Sequence, residues 1–172
     1  MDTFSAPQRP HIPFSGPERL QLDAWLDFYR ATVLIKCDGL TETQLKDRPV
    51  STSTMSLLGL VRHLTFVEQV WFEDCFAGRD VVAYYKTESD RELDFTDLDS
   101  DDVEEVFARY DRARALSREL ALGHELDEMC ARPRRGGDVD LRWIYIHLIW
   151  EYARHCGHAD LIRELIDGTT GY

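Results

Sequence analysis

The run Trp143-Ile-Tyr-Ile-His147-Leu-Ile-Trp-Glu151-Tyr-Ala-Arg-His155-Cys-Gly-His158-Ala-Asp-Leu-Ile-Arg-Glu-Leu-Ile166 constrains the fold more than any other part of the chain. With His147 at zero, a helix turning about 100° per residue puts Glu151 at about 40°, His155 at about 80° and His158 at about 20°. Ile144 and Ile162 fall at about 60° and Leu165 at about zero, on the same stripe. A stripe that is aliphatic at both ends of a helix is the buried one. Three histidines and a glutamate therefore stand where an unpaired polar group costs about 1–3 kcal/mol, and more for a charge. A bound cation would satisfy them together.

The rest of the chain supplies partners for this helix. Residues 1–16 carry prolines at 7, 10 and 13 and read as an extended arm, with Phe4, Ile12 and Phe14 available to pack on the surface. The bundle domain is expected over 17–172. Pro17 suits the first position of a helix that runs to about Cys37, with Gly39 just past its end. Leu20, Trp25, Phe28, Val33 and Ile35 are among its apolar residues. Thr41 and Gln44 have the spacing of a capping box on a short helical turn that Pro49 keeps from extending. A second long helix is expected from about Ser56 to Ala77, striped by Leu57, Leu60, His63, Leu64, Val67 and Trp71.

Residues 78–99 show no sustained period and read as an ordered, acidic connection across one end of the bundle, long enough to wall a site. Ser100, Asp101 and Asp102 open a third helix with negative charge at its positive end. Its inner face reads as Val103, Val106, Phe107, Tyr110, Ala113, Leu116 and Leu120. Residues 133–138 break the chain, and the last helix runs from near Asp140 to just before Gly168. No segment alternates well enough to need a sheet, so the fold class is an all-α four-helix bundle with its long connection between helices 2 and 3.

Composition narrows the function. At 172 residues and 44% hydrophobic content the chain builds a globular core, and its formal charge of −12 offers no basic footprint. Nucleic acid and an anionic membrane surface are therefore disfavoured as partners. Cys37, Cys75, Cys130 and Cys156 lie far apart and form no CxxC pair, which argues against a zinc knuckle and a dense disulfide framework. No signal pattern and no long apolar run is present, so a soluble cytoplasmic protein with reduced thiols is expected.

His63 by itself reads as a hydrogen-bonded core histidine, and Glu151–His155 by itself as an i,i+4 ion pair on a solvated face. Together they form a 2-His-1-carboxylate set: two groups on neighbouring turns of one helix and a third from a facing helix. Such a set suits a divalent cation and leaves a position open for water or substrate. His147 reads as structural. His158 reads as a second donor, an acid/base group, a replacement ligand or a plain core histidine, and it is the candidate catalytic residue. Tyr145 and Tyr152 read as packing residues with wet hydroxyls, and Arg62 and Arg154 as solvated surface groups, with contact to an anionic substrate as the alternative. Cys156 points away from the stripe centre, and His11 and His124 show no partners. Glu68 and Glu73 do not reproduce the carboxylate–histidine pairs of di-iron bundles.

The segments Ser56-Leu-Leu-Gly-Leu-Val-Arg-His63-Leu and Trp150-Glu-Tyr-Ala-Arg-His155-Cys-Gly-His158-Ala-Asp resemble the DinB/YfiT-like superfamily of metal-binding bundles, in its actinobacterial mini-circle-protein branch. The resemblance implies an up-down-down-up bundle. The superfamily pattern is one histidine on the second helix and His-x-x-x-His on the last; here Glu151 stands in place of the first histidine of that pair. In this the chain resembles the metal-binding domain of mycothiol-dependent maleylpyruvate isomerase, which uses a His, Glu, His zinc set. Carried over, His63, Glu151 and His155 become the expected ligands of a divalent metal ion, zinc first and nickel second. The resemblance further implies a metal-dependent transferase or isomerase in which a low-molecular-weight thiol such as mycothiol attacks a small electrophile. Two other readings stay open: a hydrolase working through a metal-activated water, and a non-catalytic, stress-associated metal-binding bundle that pairs as a homodimer.

Overall fold

The computed structural model describes residues 7–85, 93–134 and 136–171. Phe4, residues 86–92 of the long connection and Arg135 of the chain break lie outside the described residues. The elements in order are α1 (Glu18–Cys37), α2 (Glu42–Lys46), α3 (Leu57–Glu68), a π-helical segment that continues α3 (Gln69–Phe76), α4 (Val103–Ala121) and α5 (Leu141–Asp167). Among the described residues the only β pairing is two isolated bridges, Met129 with Asp140 and Arg134 with Gly137. The expected all-α bundle is the architecture observed. No helix among the described residues is long and apolar enough to cross a membrane.

Side-chain ties give the helix directions. Arg142 at the start of α5 pairs with Glu18 at the start of α1, and near their other ends Lys36 pairs with Asp160 at 2.7 Å. Arg163 donates to the carbonyls of Lys36 and Asp38, which α1 leaves without helical partners at its C-terminus. Helices α1 and α5 thus run parallel. Arg62 of α3 reaches Asp101 just before α4, and Glu68, six residues on, meets Ser117 late in α4, so these two helices are parallel as well. Contacts of His63 with Glu151 and of Trp71 with Trp143 set α3 antiparallel to α5. This is the up-down-down-up order.

Caps fix most helix boundaries. Thr41 accepts from the Gln44 backbone N–H while the Gln44 side chain takes the Thr41 N–H, completing the expected capping box. Asp102 and Asp140 cap α4 and α5, and Gly168 ends α5 with φ 80°. Pro17, expected at the first helical position, sits instead at the cap of α1, and Glu18 opens the helix.

Four expectations shift. The second helix does not stay α to Ala77 but widens into the π segment from Gln69. The stripe on α5 turns: its buried residues centre on Leu148, His155 and Ala159, while Leu165 is 59% exposed. The cause is that α5 packs most extensively on α1, which draws the buried sector past His155 and toward Cys156. On α4, Ser117 and Ala121 take core positions and Leu116 is only half-buried. The arm is held by Arg9, which donates to Thr32 Oγ1 at 2.9 Å and lies over Phe28, whereas Phe14 is fully exposed.

Candidate metal centre

His63 from α3 and Glu151 and His155 from α5 converge, with one ligand atom of each lying within 4.8 Å of the others. His63 Nε2 is 3.1 Å and His155 Nε2 3.2 Å from the same oxygen, Glu151 Oε1. The imidazole rings are tilted 59° at a centroid separation of 4.7 Å. Glu151 and His155 are buried, and the His63 side chain is 14% exposed, so solvent reaches the centre along its α3 side.

Each imidazole is held from behind. His63 Nδ1 lies 3.0 Å from Asp94 Oδ2, and Asp94 is fully buried. A carboxylate accepts only, so Nδ1 carries the proton and Nε2 turns its lone pair toward the centre. His155 Nδ1 lies 3.3 Å from His158 Nδ1, which leaves its Nε2 toward the centre too. Three electron-rich atoms then face one another, and only a proton or a cation among them relieves the repulsion. This donor chemistry fits a divalent cation: two imidazole nitrogens, one carboxylate, and outer partners that fix ring orientation.

Electrostatics agree. Burial by itself pushes the Glu151 carboxyl up, but His155 and His63, wherever a proton is shared between them and the carboxylate, and the charge of Arg154 outweigh it. The carboxyl stays far below its usual range, and Glu151 is anionic at any ordinary pH. Burial pushes His155 below its usual value more strongly than Glu151 raises it, so the imidazole stays neutral.

Asp94 went unnoticed in the sequence because it falls in the aperiodic connection. Its placement has a local cause in Gly59. A Cβ there would sit 3.1 Å from Phe95, 3.2 Å from Ser56 Oγ and 3.3 Å from the Asp94 carbonyl. Glycine lets the connection lie directly on α3, one turn before His63, and Phe95 stacks on the His63 ring at 5.4 Å. Arg62, expected to be solvated, is buried instead. It donates to the carbonyls of Leu93 and Thr96 and to Asp101, with its guanidinium 4.3 Å over Tyr85, so it folds the connection into place. Asp97 in that connection adopts φ 52°, which aspartate tolerates better than most residues.

Other candidates separate from the centre. Arg154 is half exposed, donates to Glu151 Oε2 at 3.0 Å and lies over Trp150. His147 stacks on Trp143 and touches Trp71, a packing role. Tyr152 is not wet: its hydroxyl donates to Glu68 at 2.7 Å, and Glu68 is gripped by Arg30 through both carboxylate oxygens. Tyr145 donates to Asp23. Cys156 is buried, and desolvation pushes its thiol up to about 12, which makes it a poor nucleophile. His124 pairs with Glu128, and His11 is exposed.

A cavity of about 620 Å³ opens beside the same α3–α5 seam, lined by residues that include Trp71, Arg134, Asp138 and Trp143. Trp143 precedes Glu151 by eight residues, about 12 Å of helix. The long connection walls the centre through Asp94 and Phe95, but this cavity is walled instead by Pro133, Arg134, Gly136, Asp138 and Val139.

Compared with known families, residues 21–168 match the family model described as mycothiol-S-transferase. A search of curated proteins found no match.

Proposed function

The chain belongs to the mycothiol S-transferase family, a DinB/YfiT-like family, and from that premise we propose that it is a metal-dependent enzyme joining a mycothiol-type thiol to a small electrophile. One observation carries the reading: Nε2 of His63 and Nε2 of His155 converge on a single oxygen of Glu151. In this reading the three residues hold one divalent ion, zinc first and nickel second. The ion, when bound, supplies Lewis acidity that favours the thiolate form of a thiol beside it.

The chain's own groups do the rest. Asp94 fixes the tautomer of His63, so its Nε2 presents a lone pair without reorganising, and His158 lies beside His155 Nδ1 and steadies that ring. Glu151 contributes the only formal negative charge of the set, which leaves net positive charge at the centre to attract a thiolate. His158, half-buried beside His155, stands where it can hold a proton given up by the thiol, and this is the role proposed for it. Phe95 stacks on the His63 ring and shields that one face of it. The Trp71–Trp143 cavity receives the part of a substrate that reaches two helical turns from the centre.

Elemental analysis of purified protein is expected to find about one divalent ion per chain, and Glu151→Ala is expected to lose most of it. Undiminished metal in that variant would remove Glu151 from the ligand set. With metal restored, a panel of electrophiles offered with the thiol should be turned over, and esters or amides offered without it should not. The reverse pattern would establish a hydrolase, and turnover of neither, with no measurable metal affinity, a non-catalytic bundle.

A further inference from the structure

In the sequence the four cysteines stand far apart; in the fold they meet in two pairs, and one pair is held by its backbone. The π segment closes with wide hydrogen bonds: Ala77 N–H to the Phe72 carbonyl at 3.0 Å, and Arg79 N–H to the Glu73 carbonyl at 2.9 Å. The carbonyls of Cys75 and Phe76 are left over, and they accept from the N–H groups of Arg132 at 3.0 Å and Ala131 at 3.1 Å. Cys130 is fixed in turn by its own N–H, which donates to the Val139 carbonyl at 2.9 Å. The guanidinium of Arg132 ties the same strap to Asp74, Asp80 and the Arg79 carbonyl. Held this way, the side chains of Cys75 and Cys130 come close enough to influence each other. Cys75 Sγ also lies 3.2 Å from the Arg132 carbonyl oxygen.

We propose that Cys75 and Cys130 are a redox pair that a peroxide or a small-molecule disulfide converts to an intramolecular disulfide within the folded protein. Disulfide formation needs two sulfurs brought together and one of them reachable. Cys75 is fully buried and Cys130 only half-buried, so the order of events is set. The Cys130 thiolate attacks one peroxide oxygen, the O–O bond breaks, and a sulfenic acid and water result. The Cys75 sulfur then attacks the Cys130 sulfur and expels the second water. Two thiols and one hydrogen peroxide thus become one disulfide and two waters, with two electrons passing from sulfur to peroxide. With a small disulfide as oxidant, Cys130 forms a mixed disulfide and Cys75 displaces the second small thiol.

Burial raises both thiols, Cys130 to about 12, so the pair reacts slowly and answers sustained oxidant rather than a brief pulse. The bond would lock the π segment, which carries Trp71, to the chain that leads into Pro133 and Arg134 of the cavity wall. Cys37 and Cys156, 3% and 5% exposed, are neighbours without such access and serve as an internal control. None of this depends on the proposed transferase activity.

The test treats folded full-length protein with hydrogen peroxide, and separately with diamide, then alkylates free thiols and maps the peptides. The expected result is a loss of two hydrogens per chain and one Cys75–Cys130 cross-linked peptide, reversed by dithiothreitol. The oxidised protein should unfold at a higher temperature, because the bond closes a loop of about 55 residues. Cys130→Ser, at the half-exposed position, should abolish the cross-link, and Cys37→Ser should leave it. The proposal fails if the folded protein forms no cross-link, if pairing appears only after unfolding, or if Cys130 accumulates as a mixed disulfide that Cys75 does not resolve.

Discussion

An imidazole takes a cation through whichever nitrogen lacks a proton, and Asp94 makes that choice for His63. Asp94→Asn keeps the shape but weakens the hold on Nδ1–H and the basicity of Nε2. Its metal affinity, read by competition with a chelating dye, should fall by about 10–100-fold with little loss of helical content. The centre also has a pH signature. Since burial depresses His155, the folded protein resists protonation there below the ordinary value of 6.5. Metal retention should hold as pH falls through that value and fail only below it. A release midpoint above 6.5 in a pH titration would contradict this. At this scale the sequence was half legible. His63, Glu151 and His155 show because helical periodicity places them on apolar faces. Asp94 does not, since a residue in an aperiodic connection has no face until Gly59 and Arg62 lay that connection on α3.

Among the elements, α1, α3 and α5 meet at a buried polar knot of Arg30, Glu68 and Tyr152. The two charges satisfy each other through paired hydrogen bonds, and breaking such a pair from one side strands the other charge. Glu68→Gln should therefore cost about 3–5 kcal/mol in denaturant unfolding. Burial works against ionisation of Glu68, but the Arg30 charge and hydrogen bonds from Arg30 and Tyr152 bring its carboxyl below 4.5. The native state thus releases a proton that the unfolded chain keeps. Its contribution is complete above 4.5 and drains away as pH drops through the folded-state value. The Gln variant should lose that acid limb of the stability curve. Sequence reading found every long helix here because caps and apolar spacing mark helix ends locally. It missed this knot and the π segment, which arise only when α3 must satisfy α1, α4 and α5 at once.

The whole molecule is a bundle whose first and last helices lie side by side and point the same way. Glu18 with Arg142 marks one end, and Lys36 with Asp160 the other. The expected up-down-down-up order needed more than periodicity, which carries no direction; the resemblance supplied it and the cross-helix ion pairs bear it out. The formal charge of −12 leaves room for buried cations such as Arg30, Lys36 and Arg62, each balanced by a carboxylate.

That arrangement sets a rule for anyone re-wiring the chain. The exit of α5 and the entry of α1 stand at opposite poles, separated by the 27 residues of α5, about 40 Å of helix. A circular permutant that deletes the arm before Pro17 and joins them through a short glycine-serine bridge must tear one of the two helices open. One whose bridge exceeds about 12 extended residues can run down the outside of the bundle and leave both intact. Far-ultraviolet circular dichroism of the two permutants should separate them at once.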